Sequence, residues 1–135
     1  MAQANSYSLR PGIGRIEDSE IPEGVDWDKF LGPAPRRPFN KNRFIYNWHW
    51  MWDTGNGDIG NLGIYELDLI RWALNREHHP VAVHVTGGIY VHDDGRETPN
   101  IMNVMYEYED DILVQIEIRN HYTNLEGSNI RCSMI

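Results

Sequence analysis

Apolar residues in the second half of the chain change their spacing once, and this change constrains the fold more than any other feature. From Ile59 they recur every three or four positions, with Gly63, Leu67, Ile70 and Leu74 on the same face, which predicts a helix over 59–75. From Val81 the spacing is two, which predicts strands with one buried face at 81–92, 101–109 and 112–122. The predicted fold class is α+β, an open and mainly antiparallel sheet packed on one main helix.

Turn-forming residues between the strands indicate how they pair. Asp110-Asp111 predicts a tight hairpin between the second and third strands. Gly87-Gly88 predicts a bulge or a place where something approaches the backbone. After residue 122 another alternation begins and the chain stops, so we expect a domain truncated at its carboxy end whose sheet leaves an unpaired edge. Because such edges are usually covered, a homo-oligomer through the sheet is predicted.

Length and composition restrict the domain count and the partners. The 135 residues suit one domain, with residues 1–20 as a polar arm or the remnant of an edge strand and residues 21–135 as the folded unit. A net charge of −8, with no basic cluster beyond Arg36-Arg37, argues against nucleic acid. No apolar run is long enough for a membrane span, and the single Cys132 makes a reducing, cytoplasmic location the simplest expectation.

The best functional lead is the stretch from Tyr46 to Trp72, which holds three tryptophans ahead of a glycine-rich turn. The alternation of Trp48, Trp50 and Trp52 suggests an extended segment. Their rings can stack on the flat apolar face of a sugar while polar neighbours orient it, or they can form the core beneath the sheet. A metal site is not predicted, because the adjacent His78 and His79 lack a third ligand at suitable spacing.

Some chemistry has no support in the sequence. No G-x-G-x-x-G or P-loop pattern follows a predicted strand, so no cofactor is expected to bind to this chain alone. Ser and Cys residues lack a neighbouring His-bearing motif, which leaves nucleophilic catalysis unsupported.

Two runs of sequence carry a resemblance to a known family. They are PEGVDWDKFLGPAPRRPFNKNRFIYNWHWMWDTGNGDIGNLGIYELDLIRWALN and the later GGIYVHDDGRETPN. In this order they resemble the carboxy-terminal domain of the Gfo/Idh/MocA family of oxidoreductases, and the likeness extends from about Pro22 to Asn124.

The resemblance implies a two-part enzyme, in which an amino-terminal Rossmann domain holds NAD or NADP and the carboxy-terminal domain binds a sugar or cyclitol and joins subunits. The Rossmann domain and its lysine-bearing E-K-P motif are missing from this sequence, so a separate Rossmann subunit is one arrangement the resemblance suggests. The family's active-site helix usually carries aspartate, histidine four positions later, and another aspartate. The catalytic positions that correspond are Asn61, Tyr65 and Asp68.

The other expected site residues are the substrate-binding set Trp48, His49, Trp52 and Asp58. Tyrosine at position 65, where the family usually has histidine, is the departure that matters most. An unperturbed phenol has a pKa of about 10 and is a poor base near neutral pH. The favoured interpretation is therefore a substrate-binding and oligomerisation domain that is inactive alone. The alternatives are a non-catalytic carbohydrate-binding module and a purely structural oligomerisation module.

Overall fold

The computed structural model describes residues 1–121 and 129–134, and it confirms the predicted α+β class. The sheet has five strands in the order β2-β3-β4-β1-β5. Its strands are β1 (Ala2–Tyr7), β2 (Ala82–Gly88), β3 (Ile101–Glu107), β4 (Leu113–Arg119) and β5 (Asn129–Met134). The helices are α1 (Trp27–Leu31), α2 (Asp58–Asn61) and α3 (Gly63–Ala73), with 3-10 turns at Lys41–Arg43 and Asn47–Trp50. Neighbouring strands are antiparallel except β1 and β4, which are parallel.

The main core lies between α3 and the central strands β1 and β4. Ile70 is buried there, and Ile59, Leu67 and Leu74 pack against the same cluster, so the predicted apolar face of the helix is confirmed. Full burial of one such side chain stabilises the fold by about 1.5–3 kcal/mol. The predicted single helix over 59–75 is interrupted at Leu62, where α2 ends and α3 begins.

All three predicted strands are present, each shorter than its apolar pattern. The predicted buried face is observed in β4, where buried and less buried residues alternate, but it is wrong for β2, an edge strand of the described sheet with no buried residue. The hairpin at Asp110-Asp111 is confirmed, with the Tyr108 amide donating to the Ile112 carbonyl at 3.0 Å and Asp111 at φ 60°. Residue 122, at the end of the third predicted strand, lies outside the described residues. At Gly87 the pairing of β2 with β3 is regular, so the close approach is confirmed rather than the bulge: a Cβ there would lie 2.5 Å from the Ile101 carbonyl oxygen.

The start of the chain differs from the expected arm or edge strand. Ala2–Tyr7 form an interior strand, because β1 pairs with β4 on one side and β5 on the other. Ala2, Ala4 and Ser6 point into the core and are buried, while the residues between them are partly exposed. Buried and partly exposed residues alternate regularly in this strand, but its buried side chains are small. The sequence therefore shows no apolar alternation that would predict a strand here.

The tryptophan stretch is also different from the prediction, because Asn47–Trp50 form a 3-10 turn instead of an extended segment. Trp50 is buried, whereas Trp48 and Trp52 are 43% and 59% exposed. A second, smaller core lies under the preceding segment, where Trp27, Leu31 and Phe39 pack together. Two of these residues, Trp27 and Leu31, belong to α1, so this core holds the short helix in place. No helix in residues 1–121 has the length and apolar character needed to cross a membrane.

Candidate functional site

A buried carboxylate at the amino end of α2 organises the polar centre of the domain. Asp58 is 1% exposed. Its Oδ2 accepts from Asn120 Nδ2 at 2.5 Å and from Arg10 Nε at 3.3 Å, and its Oδ1 accepts from Asn61 Nδ2 at 3.0 Å. Such charge-assisted bonds are stronger than neutral ones and hold the carboxylate in one orientation.

The parallel pairing of β1 and β4 explains why two of these partners lie together. Arg10 follows β1 and Asn120 follows β4, so the carboxyl ends of the two strands meet at one edge of the sheet. The Arg10 amide donates to the Asn120 carbonyl at 3.1 Å, which continues the ladder past the strands. The amino end of α2 reaches the same edge and delivers Asp58. Carboxyl edges of parallel strands are common places for ligand sites.

His49 is the second buried titratable group of this centre. Its Nδ1–H donates to the Tyr46 carbonyl, which leaves Nε2 with a lone pair. Nε2 is buried without a hydrogen-bond partner among the described residues and lies 4.0 Å from Asp58 Oδ1. Burial lowers the pKa of His49 from its usual 6.5, against the raising effects of the Tyr46 carbonyl and Asp58. His49 Nε2 is therefore an unpaired acceptor beside a carboxylate oxygen that already accepts from Asn61, and a donor that reaches Nε2 would satisfy it.

The backbone at Tyr46 is strained beside this pair. Tyr46 has φ 68° and ψ −49°, and the Asn47 amide donates to the Ile45 carbonyl at 2.9 Å, so the three residues form a γ-turn of positive φ. Such a conformation costs about 1–3 kcal/mol for a residue with a side chain and is frequent at functional sites. The turn directs the Tyr46 carbonyl at His49, and the phenol oxygen accepts from Arg10.

The structure brings together three of the seven predicted site residues, namely His49, Asp58 and Asn61. We call them, with Arg10, Tyr46 and Asn120, the polar cluster. Tyr65 and Asp68 lie on the solvent side of α3, where Tyr65 is 67% exposed and neither side chain hydrogen-bonds to a described residue. Their assignment as catalytic residues stays a prediction.

The two predicted tryptophans lie apart from the polar cluster. Trp48 lines a separate groove. Trp52 is exposed, and its amide donates to Glu97 Oε2 at 3.0 Å. The middle tryptophan, Trp50, packs between the His49 ring and the buried Arg96, whose guanidinium lies 4.8 Å from the indole centroid. Trp50 is therefore a structural residue, and the exposed pair remains available to ligands.

Sequence reasoning missed Arg10, Tyr46 and Asn120. For Arg10 and Asn120 the signal was present only in three dimensions, since both follow strands whose parallel pairing was not predicted. For Tyr46 a positive φ at a non-glycine residue has no sequence signature.

The described residues do not fit the phosphates of a nicotinamide dinucleotide. Gly12 and Gly14 follow β1, but the chain continues there as an irregular segment without a helix. The amino end of α2, the usual place for an anion, is already held by the Asp58 carboxylate. A phosphate placed there would be repelled, so no reaction step is assigned to such a cofactor.

The chain belongs to the oxidoreductase family named Gfo/Idh/MocA. The model of that family's C-terminal alpha/beta domain matches residues 8–131, which covers both the polar cluster and the tryptophan stretch. A search of curated proteins found no match to the chain. Members of the family are usually NAD(P)-dependent.

Proposed function

We propose that this domain is the substrate-binding part of a sugar or cyclitol oxidoreductase and that the polar cluster holds the substrate's hydroxyl groups. The observation that carries the proposal is the lone pair of His49 Nε2, buried 4.0 Å from Asp58 Oδ1 with no donor between them among the described residues. A polyol hydroxyl is such a donor, and it can give its proton to one acceptor while its oxygen accepts from a neighbouring amide.

Neighbouring hydroxyl groups suit this arrangement better than a single one. Asn61 is exposed at the rim, while His49 and Asp58 side chains are 5% and 0% exposed. A vicinal diol would therefore meet Asn61 and the exposed Tyr46 first and reach His49 when these two side chains shift.

Hydride transfer would require a Rossmann domain that supplies NAD or NADP, either from elsewhere in the protein or from a separate subunit. In the assembled enzyme the neutral His49 can accept the hydroxyl proton that Tyr65 is poorly suited to accept. Residues 1–135 by themselves are expected to bind the polyol without oxidising it.

The test is a titration of the protein with hexoses and inositols, followed by amide chemical shifts in two-dimensional NMR. Binding should shift the amides of His49 and Asp58, and His49→Gln should weaken it about tenfold, equivalent to one lost hydrogen bond of about 1.4 kcal/mol. The matched control is His79→Gln, at an exposed histidine outside the cluster. Equal binding by both variants would contradict the proposal.

A non-catalytic carbohydrate-binding module is the second candidate, favoured by the exposure of Trp48 and Trp52. The two candidates differ when a Rossmann domain is added. Turnover in a nicotinamide absorbance assay would support the oxidoreductase, whereas sugar-dependent stabilisation without turnover would support the binding module.

Joining of subunits through the sheet is the other part of the proposal. In the described sheet β2 is an edge strand, and its Val83 and Val85 are 50% and 54% exposed. Both lie on the face of the sheet that carries Val104 and Tyr106, because the register pairs Val83 with Tyr106 and Val85 with Val104. An apolar edge of this kind favours pairing with a second copy.

A further inference from the structure

A groove of about 480 Å³ lies beside the smaller core and shares no residue with the polar cluster. Its walls come from five residues of the segment 30–35, all but Gly32, and from Trp48, Asp53 and Thr54. The volume is within the range of about 300–1,000 Å³ typical of small-molecule sites.

Two aromatic rings supply part of the apolar surface of the groove. Trp48 is 43% exposed and Phe30 is 36% exposed. Phe30 is held by a stacking contact with the buried Trp27, with ring centroids 5.2 Å apart. Pro33 and Pro35 restrict the backbone of the neighbouring wall, so little ordering is needed when a ligand enters.

Asp53, which lines the groove, has one carboxylate oxygen outside its ion pairs. Asp53 pairs with Arg37 and Arg43, and both contacts end on Oδ2. Oδ1 accepts from no donor in the described part of the chain. The neighbouring Thr54 hydroxyl donates to the Trp48 carbonyl at 2.7 Å, so its oxygen can still accept.

The charges around Asp53 favour an uncharged ligand. Arg43 also pairs with Glu97, at 2.5 Å. The two guanidinium groups are therefore matched by two carboxylates, and neither a cation nor an anion finds an unbalanced charge. What the groove offers is a flat aromatic face beside hydrogen-bond acceptors, which matches a ring with an apolar C–H face and hydroxyl donors at its edge.

We propose that this groove binds one neutral pyranose ring, as in a simple glycoside or one unit of a longer saccharide. The C–H face of the ring lies on Trp48, and a hydroxyl group donates to Asp53 Oδ1. The site is additional to the polar cluster and does not depend on His49.

The experiment uses methyl glycosides of glucose, galactose and mannose as probes, with saturation-transfer NMR to map the contacting protons. It is carried out in the His49→Gln background, so that binding at the polar cluster is already weakened. Saturation should be strongest on the ring C–H protons, because these face the indole. Trp48→Ala should weaken glycoside binding about tenfold or more.

Trp72→Ala is the matched control, since Trp72 is 81% exposed and lies on α3 outside the groove. Trp48→Leu keeps apolar volume without the ring and should also weaken binding, which separates stacking from a folding defect. Circular dichroism checks the fold of each variant. Absence of glycoside binding in the His49→Gln background, or equal losses in the Trp48 and Trp72 variants, would overturn the groove proposal and leave the polar-cluster proposal standing.

Discussion

Gly57→Ala should destabilise the domain strongly, because Gly57 sets the start of α2 and so the position of Asp58. Gly57 has φ 72° and ψ −161°, a region that is nearly restricted to glycine and costs other residues about 1–3 kcal/mol. A Cβ at this position would lie 2.8 Å from Thr98 Oγ1 and 3.0 Å from Thr98 Cβ. Thr98 is fully buried, so it cannot move away freely.

The two costs combine. Overpacking of a buried site costs about 1–3 kcal/mol, so the free energy of unfolding should fall by about 2–6 kcal/mol in total. For a chain of this length that corresponds to a lower Tm by roughly 4 °C per kcal/mol. Urea denaturation followed by tryptophan fluorescence measures the change.

Gly24→Ala is the matched control, because Gly24 has φ 82° but a Cβ at this position would have no atom within 4 Å. Gly24→Ala should lower the free energy of unfolding by only the cost of a positive φ at a residue with a side chain, about 1–2 kcal/mol. If Gly57→Ala were no more destabilising than Gly24→Ala, the close packing of Thr98 against the α2 start would be refuted as the reason for glycine.

Further predictions concern pH, assembly and turnover. Burial raises the pKa of the Glu66 carboxyl above its usual 4.5. The protonated carboxyl therefore stabilises the fold below pH 4.5, and this stabilisation is lost as the pH rises through the folded-state pKa. Glu66→Gln should remove this loss, which urea denaturation at several pH values measures. Burial lowers the pKa of His49, so polyol binding measured by NMR should persist below pH 6.5 and decline only when the folded-state pKa is passed. Light scattering should show a dimer or larger species that Val85→Lys dissociates, and a monomeric wild type would contradict pairing through β2. With a Rossmann domain supplied, Tyr65→His tests the predicted catalytic role of that position: turnover in the nicotinamide assay should rise if the phenol replaces the base, whereas unchanged turnover would leave the role to His49.

The sequence predicts those helices and strands in which large apolar residues recur at regular spacing. The α3 face of Leu67, Ile70 and Leu74 and the strands β3 and β4 have large apolar side chains at the positions that become buried. The first strand follows the same alternation with Ala2, Ala4 and Ser6, whose small side chains give little contrast with the polar residues between them. Its burial results from neighbours on both sides of β1, which local sequence does not reveal.

The alternating tryptophans show that a spacing of two, typical of a strand, also occurs in a 3-10 turn. Spacing of two at Trp48, Trp50 and Trp52 predicts one shared face in a strand, but the 3-10 turn at Asn47–Trp50 has three residues per turn and separates the rings. Trp50 enters the interior against Arg96, and Trp48 turns to the groove. The prediction of one extended segment therefore placed the three rings together, whereas the structure buries Trp50 and leaves Trp48 at the groove.

The polar cluster arises from the parallel pair β1 and β4, whose neighbours in the described sheet are antiparallel. Because β1 and β4 run in the same direction, the residues that follow them meet, and Arg10 and Asn120 converge on Asp58 from opposite ends of the chain. An antiparallel β1 would place Arg10 at the opposite edge, leaving Asp58 buried without its guanidinium partner, at a cost of several kcal/mol. The direction of this first strand thus determines whether the carboxylate beside His49 has its guanidinium partner, and with it whether the domain keeps two acceptors side by side for the hydroxyl groups of a substrate.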